Sequence, residues 1–359
     1  FIEYETPISY KRQDPVDGEV YRPIVVLPKV VTKADDDLMI FSSTASKSLS
    51  IRIIGSIDNI KGKVLFDVPE GWEVSPSVVP FNLSIKNEEK LISVEVNPTK
   101  DAKNGELRIK IQYQDGSESD RSIQVIDYDH IPVQTLLPRS SVNLINVNMK
   151  ISADKIGYIM GAGDAIPENL RQVGYSVDIL GKDDITIENI NEYDAIVLGV
   201  RAFNTVEWLS YKNEVLFEYV RQGGTMMVQY NTNRSLVTEE VAPYPLSLSR
   251  DRVTVEEAPV QILDAEHPAM NFPNQITEKD FDGWVQERGL YFPNEWDDNF
   301  KALLSSKDPG ETAKRGGLLV AAYGRGYYVY TGYSWFRELP AGVAGAYRIY
   351  SNLLSLGKQ

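Results

Sequence analysis

The chain has no cysteine among its 359 residues, which excludes thiol nucleophiles, disulfide bridges and cysteine-based zinc sites together. That absence is compatible with the bacterial periplasm or exterior. Histidine is almost as scarce. The two present, His130 and His267, have no acidic cluster beside them in sequence, so both read as structural side chains rather than zinc ligands. Positive charge is in deficit, with 37 Lys and Arg against 51 Asp and Glu and a net charge of −14. Nucleic acid and anionic membrane are therefore not expected as partners, since both need clustered basic residues. No run approaches the roughly 20 apolar residues of a membrane-spanning helix, and no signal peptide is recognisable. The chain begins with Phe rather than Met and reads as a segment of a longer protein, with any targeting signal or catalytic domain lying upstream.

What is present is a globular composition, 42% hydrophobic and 25% charged, with length enough for two cores. The pattern changes near residue 150. Residues 1–24, rich in Pro, Asp and Tyr, read as an extended arm. Over residues 25–128 the pattern is of short β-rich runs, Leu49 to Ile54, Lys63 to Val68, Leu91 to Val96, Leu107 to Tyr113 and Ser122 to Ile126. Turn residues such as Asp58-Asn59, Lys103-Asn104-Gly105 and Asp115-Gly116 separate them, at the spacing of an immunoglobulin-like β-sandwich. Trp72, after Gly71, reads as a buried loop anchor, with carbohydrate stacking as the sharper alternative. Residues 129–150, with Pro132 and Pro138, read as a linker.

Residues 151–359 read as an α/β doubly wound domain. Lys155 to Met160 is a continuous apolar run suited to a strand buried on both faces, and Gly161-Ala162-Gly163-Asp164 turns it into a helix ending at Gly174. Strands follow at Tyr175 to Leu180, Asp194 to Gly199 and Thr225 to Tyr230, with a helix from Tyr211 to Gln222 between the last two. Such a β-α-β alternation implies a parallel sheet, whose ligands meet the carboxyl ends of its strands. Those ends carry Asp164, Arg201, Asn204, Gln229 and Asn231, a set able to line a polar cleft for hydroxyls or a carboxylate. The plainer alternative is that Asp164 and Arg201 pair with each other and hold the loops. None of these residues is a nucleophile. Further on, Asn233 to Arg252 reads as a loop or lid, Pro259 to Leu263, Leu318 to Tyr323 and Tyr327 to Thr331 as strands, and Ala341 to Leu356 as a closing helix. The stretch Gly283 to Trp296 gathers Trp284, Glu287, Arg288 and Tyr291 on expected loops. It suits either sugar contacts or a core plug with a buried Arg–Glu pair.

Gly157 to Asp164, Gly199 to Thr205, Gln229 to Thr232, Asp280 to Phe292 and Tyr330 to Gly342 resemble the C-terminal region of large Bacteroidetes PIG-L/LmbE-type deacetylases, as do Asp14 to Arg22 and Tyr128 to Gln134. In that family an exported N-terminal domain uses zinc to deacetylate an N-acetylated sugar. The resemblance implies an immunoglobulin-like sandwich followed by a flavodoxin-like, class I glutamine amidotransferase-like domain. The deacetylase zinc motif is not in this chain, because His267-Pro268 continues as Ala269-Met270. The amidotransferase cysteine is missing too, and the elbow-like position near Tyr230-Asn231 has no substitute for it. The resemblance therefore implies a non-catalytic accessory region, with no metal and no cofactor, that binds a glycan or packs on the upstream deacetylase domain, in the periplasm or outside the cell. An oligomerisation module is the alternative, since related domains serve as trimerisation domains in glycosidases. A hydrolase using Asp164 or Glu287 as base is the remaining one.

Overall fold

The computed structural model describes residues 8–16 and 18–358. The protein is predominantly β, built from several sheets with few helices. It divides into two compact units, the first ending at Asn146 and the second beginning at Val147.

The first unit is sandwich-like. One sheet is four-stranded, in the order Val30–Ala34, Lys47–Gly55, Glu89–Pro98, Trp72–Ser75. The other runs Leu38–Phe41, Ser141–Asn146, Gly105–Tyr113, Ile60–Asp67, Val78–Leu83. Leu49, Ile51 and Ile53 alternate with exposed or half-exposed neighbours and are fully buried. They share one core with Val94, Val96, Ile109 and Ile111. A strand's period of two is what puts alternate side chains into that layer, and each fully buried aliphatic one contributes about 1.5–3 kcal/mol. Trp72 is the core anchor. Its indole N–H donates to the Lys103 carbonyl at 2.7 Å and its ring meets Phe41 edge-on at 4.9 Å.

Three expectations are corrected here. Of the arm over residues 1–24, residues 1–7 and Asp17 lie outside the described residues, and the rest is not a single extended segment. Ser9–Asp14 and Gly18–Pro23 pair as an antiparallel hairpin. The linker over residues 129–150 contains Ser141–Asn146, an interior strand that runs antiparallel to Gly105–Tyr113 and parallel to Leu38–Phe41. Val142 and Leu144 are fully buried there. The preceding prolines obscured a two-residue period only six residues long. Gln124–Ile126 belongs to neither sandwich sheet and pairs with Gln134–Leu136.

The second unit is organised on a seven-stranded sheet. Its parallel part, in chain order, is Lys155–Ile159, Ser176–Ile179, Ala195–Leu198, Thr225–Gln229 and Gly326–Thr331. Across the sheet the order is second, first, third, fourth, fifth, and the antiparallel strands Leu318–Tyr323 and Phe300–Ala302 extend it beyond the fifth. Ala195–Leu198 and Thr225–Gln229 are buried at every position, which is why they read as unbroken apolar runs. Helix α1 (Ile166–Gln172) links the first two strands and α2 (Ile187–Ile190) the second and third. Two more, α3 (Ala202–Thr205) and α4 (Leu209–Arg221), link the third and fourth. Leu216, Tyr219 and Val220 of α4 join Met226, Val228 and Tyr328 in one core. The closing helix, Ala344–Leu354, packs on the fourth strand, and its Tyr347 hydroxyl donates to Asn169 of α1 at 3.0 Å.

Between the fourth and fifth strands the chain makes a long excursion. The last third or so of the expected lid, and most of the stretch expected as loops after Gly283, form an antiparallel pair there, Leu246–Val253 with Gly289–Trp296. Its register slips between the Asp251–Phe292 and Val253–Gly289 pairs. Pro293 and the irregular register hid this strand from a period-two reading.

Candidate functional site

The carboxyl ends of the first and third strands do not open into a cleft. A Cβ on Gly161 would lie 2.1 Å from the Val200 carbonyl oxygen, so only glycine lets these two loops meet, and the Ala162 N–H donates to that same oxygen at 2.8 Å. Asp164 closes the junction from within. Its carboxylate accepts from the Tyr158 hydroxyl at 2.8 Å, the Ile166 N–H at 3.0 Å and the Val200 N–H at 3.3 Å. Burial pushes its pKa up, against the opposing pull of these hydrogen bonds. Asp164 is thus a loop pin, and Arg201 is not its partner.

The other expected cleft residues are also framework. Asn204 accepts from the Thr232 N–H at 2.9 Å and donates to the Thr232 and Arg234 carbonyls at 3.2 and 2.9 Å, stapling the loop after the fourth strand to α3. Asn231 is fully buried; its side-chain oxygen accepts from the Phe203 N–H at 2.8 Å and its amide donates to the Gln229 carbonyl at 2.9 Å. Gln229, the last residue of the fourth strand, is buried and donates to the Tyr158 hydroxyl at 2.8 Å. Asn204 and Asn231 therefore spend their polarity on the chain itself, whereas Gln229 does so through its amide only, its buried side-chain oxygen having no hydrogen-bond partner among the described residues.

Further along the strand ends lies a different assembly. Tyr230, directly after the fourth strand, stacks on Tyr291 with ring centroids 6.0 Å apart and planes 9° from parallel. Phe336, after the fifth strand, meets the Tyr230 ring at 5.5 Å. All three rings are half-buried and so keep part of their surface in solvent. The Arg337 guanidinium lies 4.9 Å from the Phe336 ring centroid, donates to Glu287 at 2.9 Å, and also donates to the Gln286 side chain. Arg201 adjoins this shelf through the backbone, where its N–H donates to the Tyr230 carbonyl at 2.9 Å. Burial raises the Tyr230 phenol above its ordinary pKa, while Arg201 and Arg337 pull it down and Glu287 pushes it up.

Backbone strain gathers here. Arg201, Gln286 and Tyr291 have φ of 60°, 67° and 51°. Among the described residues only Ser235 joins them as a left-handed residue that is neither Gly nor Asn. Each such conformation costs about 1–3 kcal/mol and persists where surrounding structure holds it, most often around functional sites. Tyr291 sits in the slipped register of its strand, which turns its ring to Tyr230. Arg201 is the left-handed residue that opens α3 beyond the end of the third strand.

The aromatic and charged stretch divides in two. Trp284 and Arg288 are a core plug. Trp284 is 3% exposed and packs on Phe281, Tyr333 and Trp335. Arg288 is 4% exposed, stacks on Trp284 at 5.4 Å and donates to the Ala258 and Phe281 carbonyls at 2.9 and 2.6 Å. Carbonyls, not Glu287, hold it. Glu287 instead joins the shelf by pairing with Arg337. Asp280 and Glu287 share no helix, since Asp280 lies in a short turn at Glu278–Phe281 and pairs with Arg348 at 3.0 Å. Of the two carboxylates named as candidate bases, Asp164 is held by Tyr158 and two backbone N–H groups and Glu287 pairs with Arg337. His267 caps its helix, accepting from the Ala269 N–H at 3.1 Å. No group of three or more His, Asp and Glu side chains among the described residues is arranged to hold a metal ion.

The sequence reading passed over Phe336, Arg337 and Gln286 as site residues. A signal existed for the first two, because they follow within six residues of the carboxyl end of the expected strand ending at Thr331. Nothing local marked Tyr230 and Tyr291 as a stacked pair.

No protein-family model matches the chain, and no curated protein matches it. Among solved structures, an Escherichia coli alpha-2-macroglobulin fragment running from domain MG7 to the C-terminus is similar over 33% of this chain and 17% of its own, at 12% identity and a TM-score of 0.20. A chaperone–tip adhesin complex of CFA/I fimbriae is similar over 34% of this chain and 62% of its own, at 11% identity and a TM-score of 0.20. A family 123 glycoside hydrolase from Clostridium perfringens is similar over 56% of this chain and 48% of its own, at 9% identity and a TM-score of 0.19. The chain spans less than two thirds of each of these, and likeness this slight carries no inference about fold or ligand.

Proposed function

We propose that the chain is a non-catalytic accessory region that binds a glycan on the shelf formed by Tyr230, Tyr291 and Phe336. The observation that carries this reading is the grouping of three partly exposed rings and a Glu287–Arg337 pair at the ends of parallel strands that bear no nucleophile. Aromatic faces stack on the apolar faces of sugar rings, and the carboxylate and guanidinium beside them satisfy hydroxyls. In this reading the second unit is a doubly wound, flavodoxin-like and amidotransferase-like domain. The parallel strand order and its reversal beside the first strand support that. The first unit is read as an immunoglobulin-like sandwich. The whole is read as the C-terminal region of an exported PIG-L-type sugar deacetylase, carried beside a catalytic domain.

The test is calorimetric titration of the chain with N-acetylated oligosaccharides, repeated on Tyr291→Ala and Phe336→Ala. Saturable binding that weakens about tenfold or more in each variant, with thermal unfolding unchanged, is expected for rings that stack on sugar. Binding untouched by both substitutions, or no binding by the intact chain, would discard the glycan reading.

A further inference from the structure

Taking the shelf as a glycan site, we infer that its ligand is an acidic sugar whose carboxylate is received by Arg201. Two arginines adjoin the shelf, Arg201 through its backbone N–H bonded to the Tyr230 carbonyl at 2.9 Å and Arg337 through its guanidinium 4.9 Å from the Phe336 ring centroid, and both charges favour the ionised form of the Tyr230 phenol. Arg337 is neutralised, since it pairs with Glu287 at 2.9 Å and spends a further donor on Gln286. Arg201 is not. Its side chain is exposed and has no hydrogen-bond or ion-pair partner among the described residues. Asp164, the carboxylate at the end of the first strand, is already filled by Tyr158 and two backbone N–H groups. The aromatic shelf thus carries one uncompensated positive charge.

The backbone makes this position a specific one. Arg201 is held left-handed at the carboxyl end of the third strand, with its N–H tied to the Tyr230 carbonyl at 2.9 Å. An L-residue without a short polar side chain is disfavoured there relative to glycine, because its Cβ crowds the following carbonyl oxygen. The planar five-donor fork of Arg matches a carboxylate in bidentate fashion, which hydroxyls alone do not require. The chain as a whole carries a net charge of −14, so its long-range field disfavours anions. That field is screened beyond about 10 Å at ordinary salt, and recognition of an acidic sugar then falls to a local cation such as Arg201.

The experiment titrates the full chain with two probes of matched length, a neutral tetramer of β-1,4-linked N-acetylglucosamine and a tetramer alternating glucuronate with N-acetylglucosamine. The acidic tetramer is expected to bind about tenfold tighter, the difference one charge-assisted bidentate contact makes. Arg201→Gly suits the left-handed backbone and removes the guanidinium, so it is expected to fold and to bring the ratio of the two affinities close to one. Arg201→Lys, which keeps charge but not the fork, is expected to fall between. Equal affinity for the two tetramers, or a preference that survives Arg201→Gly, overturns the acidic-sugar assignment and leaves the glycan site standing. If neither tetramer binds, the glycan site falls and the assignment falls with it.

Discussion

Glu338 is fully buried, and burial pushes its carboxyl up to about 7, against the Val285 N–H, which donates to it at 2.9 Å, and the nearby Arg288 and Arg337 charges. An acid whose pKa is raised on folding holds its proton longer in the native state than in the unfolded chain. Its contribution is therefore greatest at low pH and is lost as pH rises from about 4.5 to about 7. The whole effect is on the order of 3 kcal/mol. In Glu338→Gln the amide keeps an oxygen for Val285 and does not titrate. Urea melts of the two proteins should show the variant gaining on the wild type between those pH values, with a constant difference above them. A difference independent of pH would mean that Glu338 titrates normally. Two framework side chains give losses of their own. Asn231→Ala strands the buried Phe203 N–H and should cost about 1–3 kcal/mol in the same melts. Trp284→Ala empties the core beside Trp335 and Tyr333 and should cost about 3–5 kcal/mol.

The turns after the parallel strands pull in opposite directions. At the first strand the backbone needs glycine, because Val200 crosses so closely over Gly161. Gly161→Ala should force the two loops apart, at an overpacking cost of about 1–3 kcal/mol. At the third strand the left-handed position would be easier for glycine but holds Arg201. Arg201→Gly should therefore raise stability, by about 1 kcal/mol in denaturant melts, while removing the preference for acidic sugar. A loss of stability on that substitution would show that the arginine side chain packs as framework. The Leu246–Val253 and Gly289–Trp296 pair supplies the remaining wall of the site. Its slipped register is what brings Tyr291 to Tyr230 while Phe292, the next residue, stays fully buried.

Each of the two units has its own apolar core. The sandwich core draws on residues from Val30 to Leu144, and the core beneath α4 on residues from Ile159 to Tyr330. A core that borrows nothing from the other unit supports independent folding. A fragment beginning at Val147 should fold and show the glycan affinity of the whole chain, and calorimetry of the intact protein should resolve two transitions. A fragment that fails to fold, or a single cooperative transition, would show that the units depend on each other. No helix among the described residues is long and apolar enough to cross a membrane.

The parallel strands, with α1 and α4 but not the short α2 and α3, were legible because burial on both faces demands unbroken apolar runs, and Leu49–Ile53 was legible because burial on one face demands alternation. Those are local consequences of period, and the absence of cysteine is a plain count. The site was not legible in the same way. Asp164, Gln229 and Asn231 lie at strand ends as expected and Asn204 in α3, yet all four bond to the chain itself, because loops that close over backbone need polar groups to satisfy it. Trp284 and Arg288, chosen for their chemistry, fill a core. The shelf joins Tyr230, Tyr291 and Phe336 from three separate elements, through a strand whose register slips and through residues held left-handed. Period and composition are properties of neighbours in sequence, and they say nothing of which distant rings will stack. That was decided only when the long excursion between the fourth and fifth strands folded back over the sheet.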